Sequence, residues 1–171
     1  MRVSSIRILP LMVPSSSPVH IATICIVYRN NRQEIVWLRR GQGEFMGGQH
    51  VPPGGKFEAG ERGEECVTRE INEEINHSLE NVTLKGIVRF DNRERDFGEG
   101  IVKPDWMVWV YTANSSSPER VDGGSTHWQW VNRADFSKLN IQPGDDILFD
   151  WVENREGIFS GIIQYKGKAV A

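Results

Sequence analysis

The chain alternates short apolar runs with polar turns, and this pattern predicts a β-sheet. Residues 21–28 form an unbroken apolar run rich in β-branched side chains, which predicts a strand buried on both faces. A polar turn at Asn30 and Asn31 separates it from the run 34–38, so the two runs predict a hairpin. Further strands are predicted at 83–90, 106–112, 128–131 and 158–165.

Residues 62–75 show helical periodicity with two distinct stripes. One stripe is apolar and consists of Val67, Ile71 and Ile75. The other is acidic and consists of Glu70, Glu73 and Glu74. Because an α-helix turns by about 100° per residue, the three carboxylates fall within one arc of roughly 100° beside the apolar stripe. The helix can therefore anchor in a core while its carboxylates face a cleft.

A second helix is predicted at 144–153, with Asp145 or Asp146 near its N-terminus. Strands before and after the first helix, with another helix near the end, predict an α/β fold with a mixed sheet packed between helices. Residues 20–171 are expected to form this single domain. Residues 1–19 contain three prolines and are expected to form an arm or an edge strand, with a short strand at 6–9.

Two internal segments lack the periodicity of helices and strands. Residues 41–55 contain six glycines and two prolines, which predicts a loop that passes close to a ligand. Residues 91–103 are highly charged, which predicts a long loop or mobile hairpin.

Composition narrows the classes of partner. The 171 residues suit one domain, and the net charge of -3, with both signs interspersed, provides no basic field for nucleic acid. The N-terminal apolar run is too short for a membrane span, so we expect a cytoplasmic protein, monomeric or homodimeric, with a small-molecule substrate. Cys25 and Cys66 lack metal-ligand spacing and are expected to be buried thiols.

Three glutamates on one helical arc suit Mg²⁺ or Mn²⁺, which prefer oxygen ligands and commonly share them with phosphate oxygens. Arg69 can hold one of these carboxylates in position or reach a phosphate. The carbonyl of Gly54 is a candidate additional metal ligand, because glycine lets the backbone approach closely. Glu61 lies at the start of the helix, where the helix dipole favours a negative charge even without a metal.

The chain resembles the Nudix hydrolases at seven fixed positions. These are Gly55, Glu61, Arg69, Glu70, Ile71, Glu73 and Glu74. The resemblance implies an α/β/α sandwich around a mixed sheet and hydrolysis of a nucleoside diphosphate linked to another group, with Mg²⁺ or Mn²⁺. It implies that the three glutamates of the acidic stripe bind metal or activate water, that Arg69 orients Glu70 and that Gly54 ligates metal.

Two positions depart from the Nudix motif. Asn76 replaces its second glycine, and asparagine is the residue best able to adopt the left-handed conformation that ends a helix. His77 replaces the last aliphatic residue and is expected to be exposed beyond the helix end.

Residues beyond the motif resemble the MutT-type subgroup, which removes oxidised purine nucleoside triphosphates. The resemblance implies that Asp145 and Asp146 bind the base, although a Gly-Asp-Asp sequence also caps helices well. Val51 stands where a relative uses asparagine. Trp128 is a candidate to stack on the base, but core packing is the commoner role of tryptophan. Arg39 and Lys56 are candidate substrate-binding cations, and a solvated turn explains Arg39 equally well.

The leading prediction is therefore a pyrophosphohydrolase that acts on a nucleoside triphosphate such as 8-oxo-dGTP. The alternatives are hydrolysis of a nucleotide sugar of the ADP-ribose or GDP-mannose type, removal of pyrophosphate from the 5′ end of RNA, and a non-catalytic nucleotide-sensing domain. Many relatives place a further metal-binding acid after the 106–112 strand, where Glu119 and Asp122 are the candidates.

Overall fold

A computed structural model describes residues 6–7, 19–41, 47–98, 100–101, 103–116 and 127–168. The described strands are β1 (Ile6–Arg7), β2 (Val19–Arg29), β3 (Glu34–Arg39), β4 (His50–Val51), β5 (Leu79–Asp96), β6 (Asp105–Ser115), β7 (His127–Asn132) and β8 (Phe159–Lys168). The described helices are α1 (Gly63–Ile75), a 3-10 helix (Arg133–Lys138) and α2 (Asp145–Asn154).

The strands form one mixed sheet in the order β1-β8-β5-β6-β2-β3-β4, and β7 also pairs with β3. The pairs β2/β6 and β5/β8 are parallel, and the other described pairs are antiparallel. The predicted hairpin is present as β2 and β3, and Asn30 and Asn31 in its turn have positive φ angles.

The helices cover opposite faces of the sheet. In β2, Cys25 and Val27 pack on the side of α1, whereas Ile26 and Tyr28 pack on the side of α2. Successive side chains of a strand point to opposite faces, so an unbroken apolar strand supplies both cores. The structure thus confirms an α/β/α sandwich with a mixed central sheet. Cys25 and Cys66 are both buried free thiols, as predicted.

The predicted helix and its ends agree with the structure to within one residue. The apolar stripe of Val67, Ile71 and Ile75 is fully buried, and Asn76 ends α1 in the left-handed conformation with a φ of 53°. The long loop or mobile hairpin predicted at 91–103 begins later than expected, because β5 continues to Asp96 and pairs with β8 there. Strand β4 lies inside the predicted glycine loop and was not anticipated.

Among the described residues, no helix is long and apolar enough to cross a membrane.

Candidate active site

A short glycine segment lies directly against β2. The N–H of Thr23 donates to the Gly55 carbonyl at 2.8 Å, and the N–H of Cys25 donates to the Pro53 carbonyl at 2.9 Å. Gly54 has a φ of 146°, and a Cβ there would overlap the Thr23 carbonyl. Glycine is therefore required at this position, because the two backbones are too close for any side chain.

This segment also holds one of the helix carboxylates. The N–H of Gly54 donates to the carboxylate of Glu74 at 2.8 Å. Burial raises the pKa of Glu74 to about 7, although the Gly54 hydrogen bond acts in the opposite direction. Glu74 therefore exchanges a proton close to neutral pH.

Arg69 connects the other carboxylates. Its Nη1 donates to Glu70 at 3.0 Å and to Glu73 at 3.2 Å. Its Nη2 donates to the carbonyl of Lys56 at 3.0 Å, which ties α1 to the glycine segment. The carboxylates around Arg69 raise its pKa further, so the guanidinium is permanently charged. Of the two roles expected for Arg69, this geometry favours positioning of the carboxylates over contact with phosphate.

Glu61 forms a bidentate pair with the same arginine. Its oxygens accept from Nε of Arg69 at 2.8 Å and from Nη2 at 3.1 Å. The hydrogen bonds from Arg69 and from the N–H of Glu58 lower the pKa of Glu61 to about 2. The helix dipole alone does not account for this pairing. Glu61 holds Arg69, and Arg69 in turn positions Glu70 and Glu73.

The three glutamates do not point at one common position. Two of them pair with Arg69 and the third with Gly54, and within the described ranges no three metal-binding side chains converge as a preformed ligand cluster. Their chemistry nevertheless suits Mg²⁺, which needs only one or two protein carboxylates and completes its shell with water and phosphate oxygens. The donor set therefore fits a metal that is shared with a phosphorylated substrate.

In the structure, a glycine segment contacts the acidic face of α1. In addition, residues 18–152 match the NUDIX domain family. The chain belongs to the Nudix hydrolase family. It is accordingly an enzyme that hydrolyses diphosphate bonds, and α1 with the preceding segment is its Nudix box.

The similar proteins include bacterial Nudix hydrolases. The chain is 33% identical over 121 residues to an uncharacterized Nudix hydrolase, YvcI, of Bacillus subtilis (strain 168), covering 69% of this chain and 73% of that protein. It is 28% identical over 117 residues to an 8-oxo-dGTP diphosphatase of Escherichia coli (strain K12), covering 67% and 85%. A crystal structure of a MutT protein from Bacillus halodurans superposes with a TM-score of 0.69 and 27% identity, covering 86% and 90%.

Two of the candidate substrate-binding residues of this Nudix hydrolase are buried in the structure. Val51 is 7% exposed in β4, and Trp128 is 7% exposed in β7, and both pack on the α1 side of the sheet. The burial of Trp128 agrees with core packing, which is the commoner role of tryptophan. The small, buried side chain of Val51 likewise contacts core residues.

His77 is also buried, so its predicted exposure is wrong. Only 1% of the residue is exposed, and its Nδ1 bonds to the Ser115 hydroxyl at 2.6 Å. Its ring lies 5.1 Å from Trp128 and 5.8 Å from Trp130, centroid to centroid. Asn76 turns the chain inward at the end of α1, and His77 therefore fills the space of the aliphatic residue of the Nudix motif.

The adjacent aspartates at the start of α2 differ in environment. Asp146 is exposed, and its carboxylate accepts from the Gly144 N–H at 3.1 Å, which satisfies a backbone group at the helix start. Asp145 is buried, and burial raises its pKa to about 8, with the charge of Asp146 acting in the same direction. Helix capping explains the position of Asp146, but it does not explain the burial and the raised pKa of Asp145.

The cationic candidates lie around the glycine segment. Lys56 is exposed, and its Nζ is 5.5 Å from the centre of the Trp106 ring. Arg39 is an exposed residue at the end of β3. The neighbouring Arg40 acts on the site electrostatically, because its charge lowers the pKa of Glu74 against the larger opposite effect of burial. The sequence marks Arg40 only by its position next to the glycine-rich segment 41–55. Glu119 and Asp122 lie outside the described residues.

Proposed function

We propose that this Nudix hydrolase cleaves a nucleoside triphosphate to the monophosphate and pyrophosphate, with an oxidised purine nucleotide such as 8-oxo-dGTP as the leading substrate. The observation that carries the proposal is the network in which Gly54 holds Glu74 while Arg69 holds Glu70 and Glu73. These contacts support a role for the three carboxylates in holding a metal ion against a diphosphate. The carbonyl of Gly54 is the proposed additional ligand.

Glu70, Glu73, Glu74 and the Gly54 carbonyl would hold Mg²⁺ or Mn²⁺. When bound, such a metal neutralises charge on the diphosphate and lowers the pKa of a coordinated water. Arg69 holds Glu70 and Glu73 on the acidic face of α1 through its Nη1 hydrogen bonds. Its pairing with Glu61 restricts its own movement, so that the carboxylates are positioned before substrate arrives.

Glu74 is the residue best suited to accept a proton. A general base is most effective when its pKa lies near the working pH, and burial brings the pKa of Glu74 to about 7. Its hydrogen bond with Gly54 fixes one carboxylate oxygen and leaves the other for a water or a metal ion. We therefore assign to Glu74 either metal binding or activation of the attacking water.

We assign recognition of the purine base to Asp145. This residue lies at the start of α2, which packs on the face of the sheet opposite to α1. A protonated carboxyl donates to a purine carbonyl, and an ionised one accepts from a ring or amino N–H. The raised pKa of Asp145 makes both forms accessible near neutral pH. Similarity to a nucleoside triphosphatase of Enterobacter sp. (strain 638), at 25% identity over 129 residues, supports the same substrate class.

A substrate panel tests the proposal. Nucleoside triphosphates, including 8-oxo-dGTP, and nucleotide sugars are incubated with Mg²⁺ or Mn²⁺, and released pyrophosphate is measured separately from released phosphate. We expect pyrophosphate from a triphosphate, with the highest kcat/KM for an oxidised purine. Release of phosphate alone, or turnover restricted to nucleotide sugars, would contradict the assignment.

Variants on α1 then test the site itself. Glu73→Gln and Glu74→Gln are expected to lower kcat by several orders of magnitude with the fold intact. Glu64→Gln is the matched control, because Glu64 is an exposed carboxylate of the same helix outside the acidic arc. An undiminished kcat in the Glu73 and Glu74 variants at saturating Mg²⁺ would refute the metal site.

A further inference from the structure

A cavity lies beside the turn between β2 and β3, on the face of the sheet that α2 covers. Its volume of about 640 Å³ is within the range of roughly 300–1,000 Å³ that is typical of small-molecule sites. Its walls come from the turn, the 3-10 helix and α2. They include two cations, Arg32 and Arg133, and two rings, Phe136 and Phe149. We call it the turn cavity.

The turn cavity is separate from the Nudix box. The glycine segment of the box contacts β2 at Thr23, whose N–H donates to the Gly55 carbonyl, and the turn begins at Asn30, beyond the end of β2. A strand rises by about 3.3 Å per residue, so the distance along β2 is about 23 Å. Phe136 and Phe149 pack on the α2 side of the sheet, whereas α1 covers the other face. A nucleotide bound at the box therefore does not extend into the turn cavity.

The backbone fixes the walls of the turn cavity. Asn30, Asn31 and Arg32 have φ angles of 50°, 54° and 64°, so the turn is a run of left-handed residues. Asparagine tolerates this conformation, whereas arginine adopts it rarely. The N–H of Arg133 donates to the Gln33 carbonyl at 2.9 Å, which joins the start of the 3-10 helix to the turn. The two arginines are thus held on connected segments of backbone.

One carboxylate positions both guanidinium groups. Glu153 accepts from Nη2 of Arg32 at 3.4 Å and from Nη2 of Arg133. The Arg32 guanidinium also lies over the Tyr28 ring, 4.0 Å from its centre. The side chain of Glu153 is only 9% exposed, but those of Arg32 and Arg133 are 48% and 40% exposed. Of the described residues that line the turn cavity, none is acidic, so one positive charge is left in excess at its wall.

This lining suits a ligand that combines a phosphate with a planar ring. Two guanidinium groups with N–H donors to spare can bind the oxygens of one phosphate through charge-assisted hydrogen bonds. Phe136 and Phe149 are stacked, with 4.4 Å between ring centres, and both are partly exposed, so they offer an apolar surface to a ring. The exposed amides of Asn31 and Gln33 carry donors and acceptors that match the edge of a base.

We propose that the turn cavity is a second ligand site that binds a nucleoside monophosphate, with its phosphate on the two arginines and its base against the two phenylalanines. This inference goes beyond the proposed function, because binding here involves neither the acidic face of α1 nor hydrolysis. A monophosphate is favoured over a triphosphate, because Arg32 and Arg133 share Glu153 and the remaining positive charge suits the smaller charge of one phosphate group.

Backbone amide signals in two-dimensional proton–nitrogen NMR spectra locate the bound ligand. The full chain, without added metal, is titrated separately with GMP, AMP, guanosine and inorganic phosphate. We expect GMP and AMP to shift the signals of Gln33 and Ala134 in a saturable way. Guanosine and inorganic phosphate should bind there more weakly by roughly tenfold or more, because each lacks one half of the ligand. The signals of Gly54 and Gly55 report binding at the Nudix box in the same spectra.

Variants then test the walls of the turn cavity. Arg32→Gln and Arg133→Gln should each raise the Kd of GMP by roughly tenfold or more, as expected for lost hydrogen bonds to a charged group. Ala134→Trp keeps both arginines but fills part of the cavity from an exposed position, and it should prevent binding. Arg155→Gln is the matched control, because Arg155 is an exposed arginine at the end of α2 that lies over Trp151, outside the cavity lining. Its Kd should equal that of the wild type.

Three results would overturn the inference. The first is the absence of saturable shifts at Gln33 and Ala134 with both nucleotides, including the case in which only Gly54 and Gly55 respond. The second is binding of inorganic phosphate as tight as that of GMP, which would mean that the base is not recognised. The third is an unchanged Kd in Arg32→Gln and Arg133→Gln with spectra that show an intact fold. Each of these results leaves the proposed function standing, because triphosphate hydrolysis is measured separately.

Discussion

The carboxylate of Glu70 occupies the space that a Cβ atom on Gly55 would fill. An added Cβ would meet only the end of the flexible Glu70 side chain, and Gly55 does not have a positive φ. Glycine is thus needed at position 55 to place a carboxylate, whereas at position 54 it is needed for the approach of two backbones. The two adjacent glycines have different physical roles.

Gly55→Ala should therefore reduce activity far more than stability. The added methyl group displaces the Glu70 carboxylate from Arg69, and we expect kcat/KM to fall by about 100-fold while the free energy of unfolding changes by about 1 kcal/mol or less. Steady-state kinetics and urea unfolding measure the two effects. The same substitution in a Glu70→Gln background should add little, and a full additive loss there would show that Gly55 acts independently of Glu70.

Glu61→Gln should weaken catalysis through Arg69. The neutral amide has one acceptor oxygen instead of two and no charge, so the bidentate pair is lost, Arg69 becomes less restricted and the carboxylates that it holds lose alignment. A fall in kcat of roughly 10 to 100-fold is expected, together with a higher metal concentration for half-maximal activity. Glu65→Gln, at an exposed glutamate paired with Arg62, provides the control. Equal changes in kcat and in the metal requirement for Glu61→Gln and Glu65→Gln would contradict a positioning role for Glu61.

Asp145→Asn should make the protein more stable near neutral pH. The pKa of Asp145 is about 8 in the folded state and 3.8 for an unperturbed side chain. Between these values the folded state holds more protons than the unfolded state, so the stability contributed by this group falls as pH rises. The Tm advantage of Asp145→Asn should grow from pH 4 to pH 8 and then level off. Scanning calorimetry at several pH values measures the Tm of both proteins. A constant difference in Tm between wild type and variant across this pH range would contradict the burial of Asp145.

The same variant also tests the role of Asp145 in base selection. The amide keeps a similar shape but can no longer be ionised, so it cannot offer two acceptor oxygens to the base. We expect Asp145→Asn to reduce the ratio of kcat/KM for 8-oxo-dGTP to that for dGTP more than it reduces kcat. A loss of the same factor for both nucleotides would leave Asp145 with a structural role only.

His77→Leu should reduce the sensitivity of the fold to acid. Burial lowers the pKa of His77 below 6.5, so the unfolded state binds more protons at mildly acidic pH and stability is lost as pH falls below 6.5. Leucine also removes the buried Nε2, which has no hydrogen-bond partner. We expect a smaller fall in Tm between pH 7.5 and 5 for the variant, where about 2–4 °C corresponds to 1 kcal/mol. Identical falls in Tm would contradict this account.

The local features of the fold follow from short-range patterns. The apolar stripe of α1, the turn at Asn30 and Asn31 and the left-handed Asn76 all depend on neighbouring residues, and each was predictable. The extent of β5 was not, because its charged end is kept in strand form by pairing with β8, which lies about 70 residues away in the chain. Charge along one segment does not indicate which distant strand supplies its hydrogen-bond partners.

The sequence by itself determined the Nudix motif, the acidic face of α1 and the α/β class, because helical spacing and strand apolarity are properties of consecutive residues. Tertiary structure alone decided which polar groups are buried. It placed Val51, His77 and Trp128 in the core, paired Glu61 with Arg69, and brought Arg32 and Arg133 together at Glu153. Burial and charge compensation depend on contacts between distant segments, and these contacts form only when the sheet and both helices are assembled.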